Sequence, residues 1–211
     1  MRWYDIFASF YDLSTESILK PIRKAAFESL KTKDASVVID LGCGTGQNFP
    51  QLIERLQGDR LRIVGLDYSV GMLAKAQERI KKNEWPSIFL LEADATRASR
   101  EDIWQVLGEK VPIDAVICSN VLVAMPEWES VFYHMFDLLR PGGQFLMLET
   151  YAERRVLQTY WTEFIAQGDL SRKVWEPLER IAERYEFRYL KGSPHVLGGR
   201  PYVATGFAPE S

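Results

Sequence analysis

Apolar residues recur along this 211-residue chain in two alternating rhythms, short continuous runs and stretches spaced three and four apart. Val37, Val38 and Ile39 run into Asp40 as a short buried strand would, and Phe49, Leu52, Ile53 and Leu56 then fall at helical spacing. Residues 61–67 read as a second strand ending in an acid. Ser69 caps a helix that places Met72, Leu73, Ala76 and Ile80 on one face. The pattern predicts strands at 88–91, 113–118 and 144–149, a short capped helix from Ser99 through Leu107, and a helix over 127–140 stopped by Pro141-Gly142-Gly143. Trp128, Val131, Phe132, Met135 and Leu139 face inward on that helix. Helices are expected over 152–167 and 172–185, and strands 186–196 and 201–207 flank a hairpin at Leu197-Gly198-Gly199-Arg200. Such a βαβαβ rhythm implies a parallel sheet with helices on both faces and ligands at the carboxyl ends of its strands.

The first thirty residues precede that rhythm. Trp3, Tyr4, Ile6, Phe7, Phe10, Tyr11 and Leu13 crowd a short stretch, and a helix starting near Lys20, with Pro21 in its first turn, aligns Ile22, Ala25, Ala26 and Leu30. Residues 1–34 read as a helical flap on a single domain spanning 35–211.

Composition narrows the function. The chain is 46% hydrophobic, long enough to bury one substantial core. Its net charge of −3 and pI near 5.6 leave no basic footprint, so nucleic acid is disfavoured as a partner. No apolar run approaches the ~20 residues that span a bilayer, and no apolar signal core opens the chain. The expected location is the cytoplasm, with weak peripheral contact at the inner membrane surface left open. Cys43 and Cys118, with two histidines, make no metal-ligand spacing, and no metal is expected.

Chemistry concentrates at Gly42-Cys43-Gly44-Thr45-Gly46, directly after the first strand, where backbone can turn sharply and approach a ligand. A dinucleotide site is also a glycine-rich strand-to-helix turn with an acid on the next strand. Here the spacing is G-x-G-x-G, and Gln47 stands where the third glycine of G-x-G-x-x-G belongs. Asp67 ends the second strand, placed to accept from both hydroxyls of a ribose.

With these residues in view, the chain resembles the class I S-adenosylmethionine-dependent methyltransferases over roughly residues 1–150. VVIDLGCGTG is similar to the family's first motif, VGLDYSVGML to the segment after it, LLEADAT to the third, and IDAVICSNVL and LLRPGGQFLMLE to the later strand motifs. The resemblance implies a doubly wound, Rossmann-like, seven-stranded and mostly parallel sheet with one antiparallel strand. It implies S-adenosylmethionine as cofactor and S-adenosylhomocysteine as product. Gly42, Gly44 and Gly46 would admit the methionine part and ribose, Asp67 bind the ribose hydroxyls, and Tyr68 pack on adenine beside Met72. Asp94 would accept from the adenine amino group, Ala95 supply a backbone contact, and Asp40 organise the loop and the cofactor amino group. Ser119 and Asn120 lie nearest the expected methyl position. Tyr4 and Tyr11, in Tyr4-Asp5-x-x-Ala8-x-x-Tyr11-Asp12, resemble tyrosines that cover the cofactor in quinone and phospholipid-headgroup methyltransferases.

A sulfonium methyl is already electrophilic, so the enzyme mainly holds the nucleophile in line and excludes water. Asn120, Tyr11 and His195 are the candidates nearest the chemistry, His195 standing near the end of a late strand. His134, amid inward aromatics, reads as structural. Glu149 and Tyr151 either steer an amine or hold a helix entry. The whole-chain pattern, including YDLSTE near the start and GGRPYVATG near the end, resembles bacterial phosphatidylethanolamine-type N-methyltransferases, which implies an amino headgroup as acceptor; a quinone-ring C-methyltransferase is the alternative. A non-catalytic cofactor-binding module and a dinucleotide oxidoreductase are readings from other classes. Arg2, Lys20, Arg23 and Lys24 are cations able to meet anionic lipid, diluted by Asp5, Asp12 and Glu16.

Overall fold

The computed structural model describes residues 19–31, 37–191 and 198–210. A helical segment over 19–27 (α1) precedes β1 (Val37–Leu41), α2 (Phe49–Leu56), β2 (Arg62–Asp67), α3 (Val70–Asn83), β3 (Ile88–Glu92), α4 (Arg100–Leu107) and β4 (Ala115–Ser119). A 3-10 turn at Leu122–Ala124 leads to α5 (Trp128–Asp137), β5 (Gln144–Tyr151), α6 (Leu157–Ala166), α7 (Glu176–Ile181), β6 (Glu183–Tyr189) and β7 (Arg200–Phe207).

The strands form one seven-stranded sheet in the order β3-β2-β1-β4-β5-β7-β6. Pairing is parallel from β3 to β5, and β7 runs antiparallel to both β5 and β6. This is the doubly wound sheet with one antiparallel strand. Strand order reverses between β1 and β4, so the crevice outside their carboxyl ends is where such a sheet receives ligands.

Side-chain alternation explains why the central strands read as unbroken apolar runs. Val37, Ile39 and Leu41 point to the face covered by α4, α5 and α7, and Val38 points to the face covered by α1, α2 and α3. Phe132 of α5 packs edge-on against Phe145 of β5, with centroids 5.2 Å apart. Phe27, Leu30, Phe49 and Leu52 fill the other layer.

Local signals set several boundaries. The Ser69 hydroxyl accepts from Met72 N–H at 3.3 Å, and Ser99 and Asp102 form a reciprocal capping box. The helix expected over 172–185 is only Glu176–Ile181, because Glu183 already begins β6. A bulge between Glu183 and Glu186, with Arg184 at φ 52°, bends the strand onto β7. α6 starts five residues later than expected, at Leu157. β6 pairs with β7 from Glu183–Phe207 to Tyr189–Tyr202; residues 192–197 of the expected hairpin lie outside the described residues. No described helix is long and apolar enough to cross a membrane.

Candidate functional site

A cavity of about 660 Å³ opens at the carboxyl ends of β1 to β4. Gly42 and Gly44 line it from the first loop, Asp67, Tyr68 and Met72 from the end of β2 and the start of α3, Asp94 and Ala95 from beyond β3, and Ser119 and Asn120 from the end of β4.

The three loop glycines have different tasks. A Cβ on Gly42 would stand 2.6 Å from a Val121 methyl, and one on Gly46 would stand 2.4 Å from the Phe49 ring. At both positions the close neighbour is protein, and Gly46 does not reach the cavity lining. Gly44 differs. It sits at φ +55° with nothing within 4 Å of where a Cβ would stand, so its backbone faces open space in a conformation side chains rarely adopt.

Asp67 ties the second strand to this loop. One carboxylate oxygen accepts Gly44 N–H at 2.9 Å, and the other accepts Ser69 N–H at 2.9 Å. A carboxylate oxygen can accept more than one hydrogen bond, so holding the loop is compatible with binding a hydroxyl pair. Asp94, exposed at the far wall, accepts from Thr96 through both backbone N–H and hydroxyl.

Asp40 lies beneath the loop rather than on the cavity wall. It is fully buried, and Asn48 donates to it at 2.8 Å. Burial raises its carboxyl to about 7; the Asn48 hydrogen bond and the Arg23 charge oppose the rise, and Asp67 adds to it. Its second oxygen has no hydrogen-bond partner among the described residues.

Asn120 turns the chain after β4 at φ 53°, a left-handed conformation that Asn tolerates better than most residues. Its side-chain carbonyl accepts from the Thr150 hydroxyl at 3.0 Å. Glu149 is fully buried, away from the lining, and accepts from Val121 and Leu122 N–H at 2.9 Å each. That is the helix-entry role, and substrate steering by Glu149 is set aside. Burial lifts its carboxyl to about 7 against those two bonds. Tyr151 packs edge-on to Trp175 at 5.0 Å.

His134 bonds the Ala98 carbonyl at 2.8 Å, a structural contact outside the cavity. Both cysteines are buried, and burial pushes both thiols well above their ordinary value, which makes poor nucleophiles of them. Tyr4, Tyr11 and His195 lie outside the described residues. Among the described residues no cluster of His, Cys, Asp and Glu could hold a metal.

Arg23 corrects an expectation. Instead of meeting lipid, it is only 4% exposed, lines the cavity and donates to Gln47. Lys24 is exposed but pairs with Glu54 at 2.9 Å. The signal for Arg23 was present: it stands on the apolar stripe of α1, between Leu19 and Ala26. Other lining residues not singled out from sequence as site residues are Glu92, Met125, Pro126 and Glu127. Glu92 ends β3, and the other three lie between β4 and α5, where no periodicity announces a wall.

A family model described as a methyltransferase domain matches residues 39–145. Trans-aconitate 2-methyltransferase of Azoarcus sp. is 30% identical over 110 residues, 52% of this chain and 37% of that protein. Demethylmenaquinone methyltransferase of Desulfitobacterium hafniense is 27% identical over 189 residues, 88% of this chain and 69% of that protein. The chain thus spans little more than a third of the first relative's length. Among solved structures, a complex between the Haloferax volcanii Trm112 methyltransferase activator and the putative methyltransferase matches with a TM-score of 0.78 at 18% identity, covering 99% of both chains, a likeness of fold. Strand order, motif order and a domain match over half its length agree: the chain belongs to the class I S-adenosylmethionine-dependent methyltransferase family.

Proposed function

We propose that the cavity binds S-adenosylmethionine and that the chain transfers its methyl group to an amphiphilic acceptor. The observation that carries the reading is the joined pair Gly44 and Asp67, an open backbone turn held by the acid that ends β2. The lining charge supports it. Asp67, Glu92, Asp94 and Glu127 stand against Arg23, a balance that suits a sulfonium and an ammonium and repels the pyrophosphate of a dinucleotide.

In this reading Asp67 receives the ribose hydroxyls, Gly44 lets the backbone approach, and Arg23 meets the cofactor carboxylate. Tyr68 and Met72 flank the base, with Asp94 and Ala95 at its edge. Bound there, S-adenosylmethionine supplies an electrophilic methyl. The protein's part is to align the acceptor beside Ser119 and Asn120 and to exclude water.

Leu19, Met125, Pro126, Val131 and Ala166 make the remaining wall apolar. That lining favours a quinone-type ring as acceptor, in keeping with the similarity to a demethylmenaquinone methyltransferase over most of this chain. Glu127, an exposed carboxylate at the same wall, favours the amino headgroup of a phospholipid as second reading. The test is incubation with methyl-labelled cofactor and either a demethylated quinol or vesicles containing phosphatidylethanolamine. Label in the quinol is the expected result. Label only in the lipid amine promotes the second reading, and label in neither, with cofactor binding intact, overturns an amphiphilic acceptor.

A further inference from the structure

The cavity wall that follows β4 is built with little regular structure. Val121, Ala124, Met125, Pro126 and Glu127 line it from a stretch that holds only the 3-10 turn. That turn makes two hydrogen bonds of its own, from Ala124 N–H to the Val121 carbonyl at 3.0 Å and from Met125 N–H to the Leu122 carbonyl at 3.2 Å. The next in the series would join Pro126 to the Val123 carbonyl, but proline has no N–H to give. The turn therefore stops. Val123 is buried, so its carbonyl must take a donor from elsewhere in the fold.

That donor comes from residues 167–175, between α6 and α7. Asp169 N–H donates to the Val123 carbonyl at 2.9 Å. The Arg172 guanidinium donates to the same carbonyl at 3.3 Å and to the Met125 carbonyl at 2.8 Å. Gly168 lets the two backbones meet, since a Cβ there would stand 3.0 Å from the Val123 carbonyl oxygen. This brace is itself fixed. Leu170 and Val174 are buried in the core, and the Leu170 carbonyl accepts Ala152 N–H at 2.8 Å. The Asp169 carboxylate accepts from Ser171 N–H at 2.9 Å and from Arg155 at 2.8 Å, and its other oxygen lies 3.7 Å from Arg172 Nε.

The near end of the wall has a different anchor. Glu149 accepts from Val121 and Leu122 N–H, and Val121 packs where Gly42 turns. Two anchors thus divide the wall: Glu149 sets the end beside the glycine loop, and Arg172 sets the end that carries Met125, Pro126 and Glu127. Arg172 is not on the lining itself, so it acts through those three residues.

We propose that Arg172 is a positioning residue for the methyl acceptor, fixing the Met125-Pro126-Glu127 wall against which the acceptor is aligned. The bracing stands on the contacts just described; only its effect on the acceptor rests on the reading of the cavity given above. Arginine suits the task because one nitrogen reaches two carbonyls while another faces Asp169, a fork that a lysine ammonium does not reproduce.

The test compares the full-length wild type with Arg172→Met, which keeps an apolar stem without donors, and with Arg172→Lys. Hydrogen exchange read by mass spectrometry follows residues 121–127 against the glycine loop, and calorimetry follows S-adenosylhomocysteine. Transfer of labelled methyl is measured on a demethylated quinol, or on phosphatidylethanolamine vesicles where only those take label. In Arg172→Met, exchange over 121–127 is expected to quicken about tenfold or more while the glycine loop and S-adenosylhomocysteine affinity stay unchanged. The KM for S-adenosylmethionine is expected to hold, with kcat/KM for the acceptor falling up to about a hundredfold. Arg172→Lys is expected to lie between Arg172→Met and wild type in both readouts; should Arg172→Met fail to fold, that intermediate behaviour decides alone. Wild-type exchange over 121–127 in the variants overturns the brace. Cofactor affinity that falls together with acceptor turnover assigns Arg172 a general stabilising role and overturns the positioning claim. If the wild type labels neither acceptor, the reading of the cavity fails, and exchange still decides the brace.

Discussion

At the scale of single residues, Asp67 has two duties that its sequence position does not separate. Its carboxylate holds Gly44 and Ser69 N–H groups while standing in the cavity wall. Asp67→Ala is therefore expected to lower Tm as well as cofactor affinity, because truncation leaves two donors without their acceptor; differential scanning calorimetry checks the first effect. Gly44 behaves similarly. At φ +55° a side chain costs about 1–2 kcal/mol, so Gly44→Val is expected to lose both stability and cofactor binding, although space around it is open. Full thermal stability in that variant would contradict the left-handed turn.

Titration adds a prediction at the same scale. Burial raises Asp40 and Glu149 to about 7 in the native protein, above ordinary carboxyl values. Between about pH 4 and 7 the native state then binds more protons than the unfolded chain, so a contribution to stability that is full at low pH is lost as pH rises through 7. Glu149→Gln keeps an acceptor for Val121 and Leu122 N–H and removes the titration. Its Tm is expected to exceed wild type clearly at about pH 8, and by much less at about pH 5. An equal offset at both would contradict the raised value.

At the scale of elements, α5 anchors one face of the sheet through Phe132, fully buried against Phe145 and Phe136. Phe132→Ala is expected to cost about 3–5 kcal/mol, read from denaturant unfolding. Element by element, the strands of the first 150 residues were legible because both sheet faces are covered, which turns each strand into a continuous apolar run bounded by turn residues. The region after 170 was harder. Val174, Leu178, Ile181 and Tyr185 fit a helix, while Tyr185, Phe187 and Tyr189 fit a strand, and pairing with β7 decided for the strand from Glu183. The site divides the same way. Asp67 ends β2, and Gly44 and Asn120 lie in the loops just after β1 and β4, all within stretches that motifs mark. Arg23 was legible only as a charge on an apolar stripe, and Met125, Pro126 and Glu127 lie on a loop whose place depends on tertiary packing.

At the scale of the whole molecule, the reversal of strand order between β1 and β4 brings the glycine loop, four acids and an apolar wall around one cavity. The chain's function turns on what that cavity binds. The direct measurement is calorimetric titration of S-adenosylhomocysteine into wild type and Asp67→Asn, with NAD as a parallel titrant. Asn keeps an acceptor for Gly44 N–H while removing the charge that strengthens hydrogen bonds to hydroxyls. The account predicts one site per chain for S-adenosylhomocysteine, weakened about tenfold or more in Asp67→Asn, and no binding of NAD. Saturable binding of NAD, or a variant that binds S-adenosylhomocysteine as tightly as wild type, would contradict it.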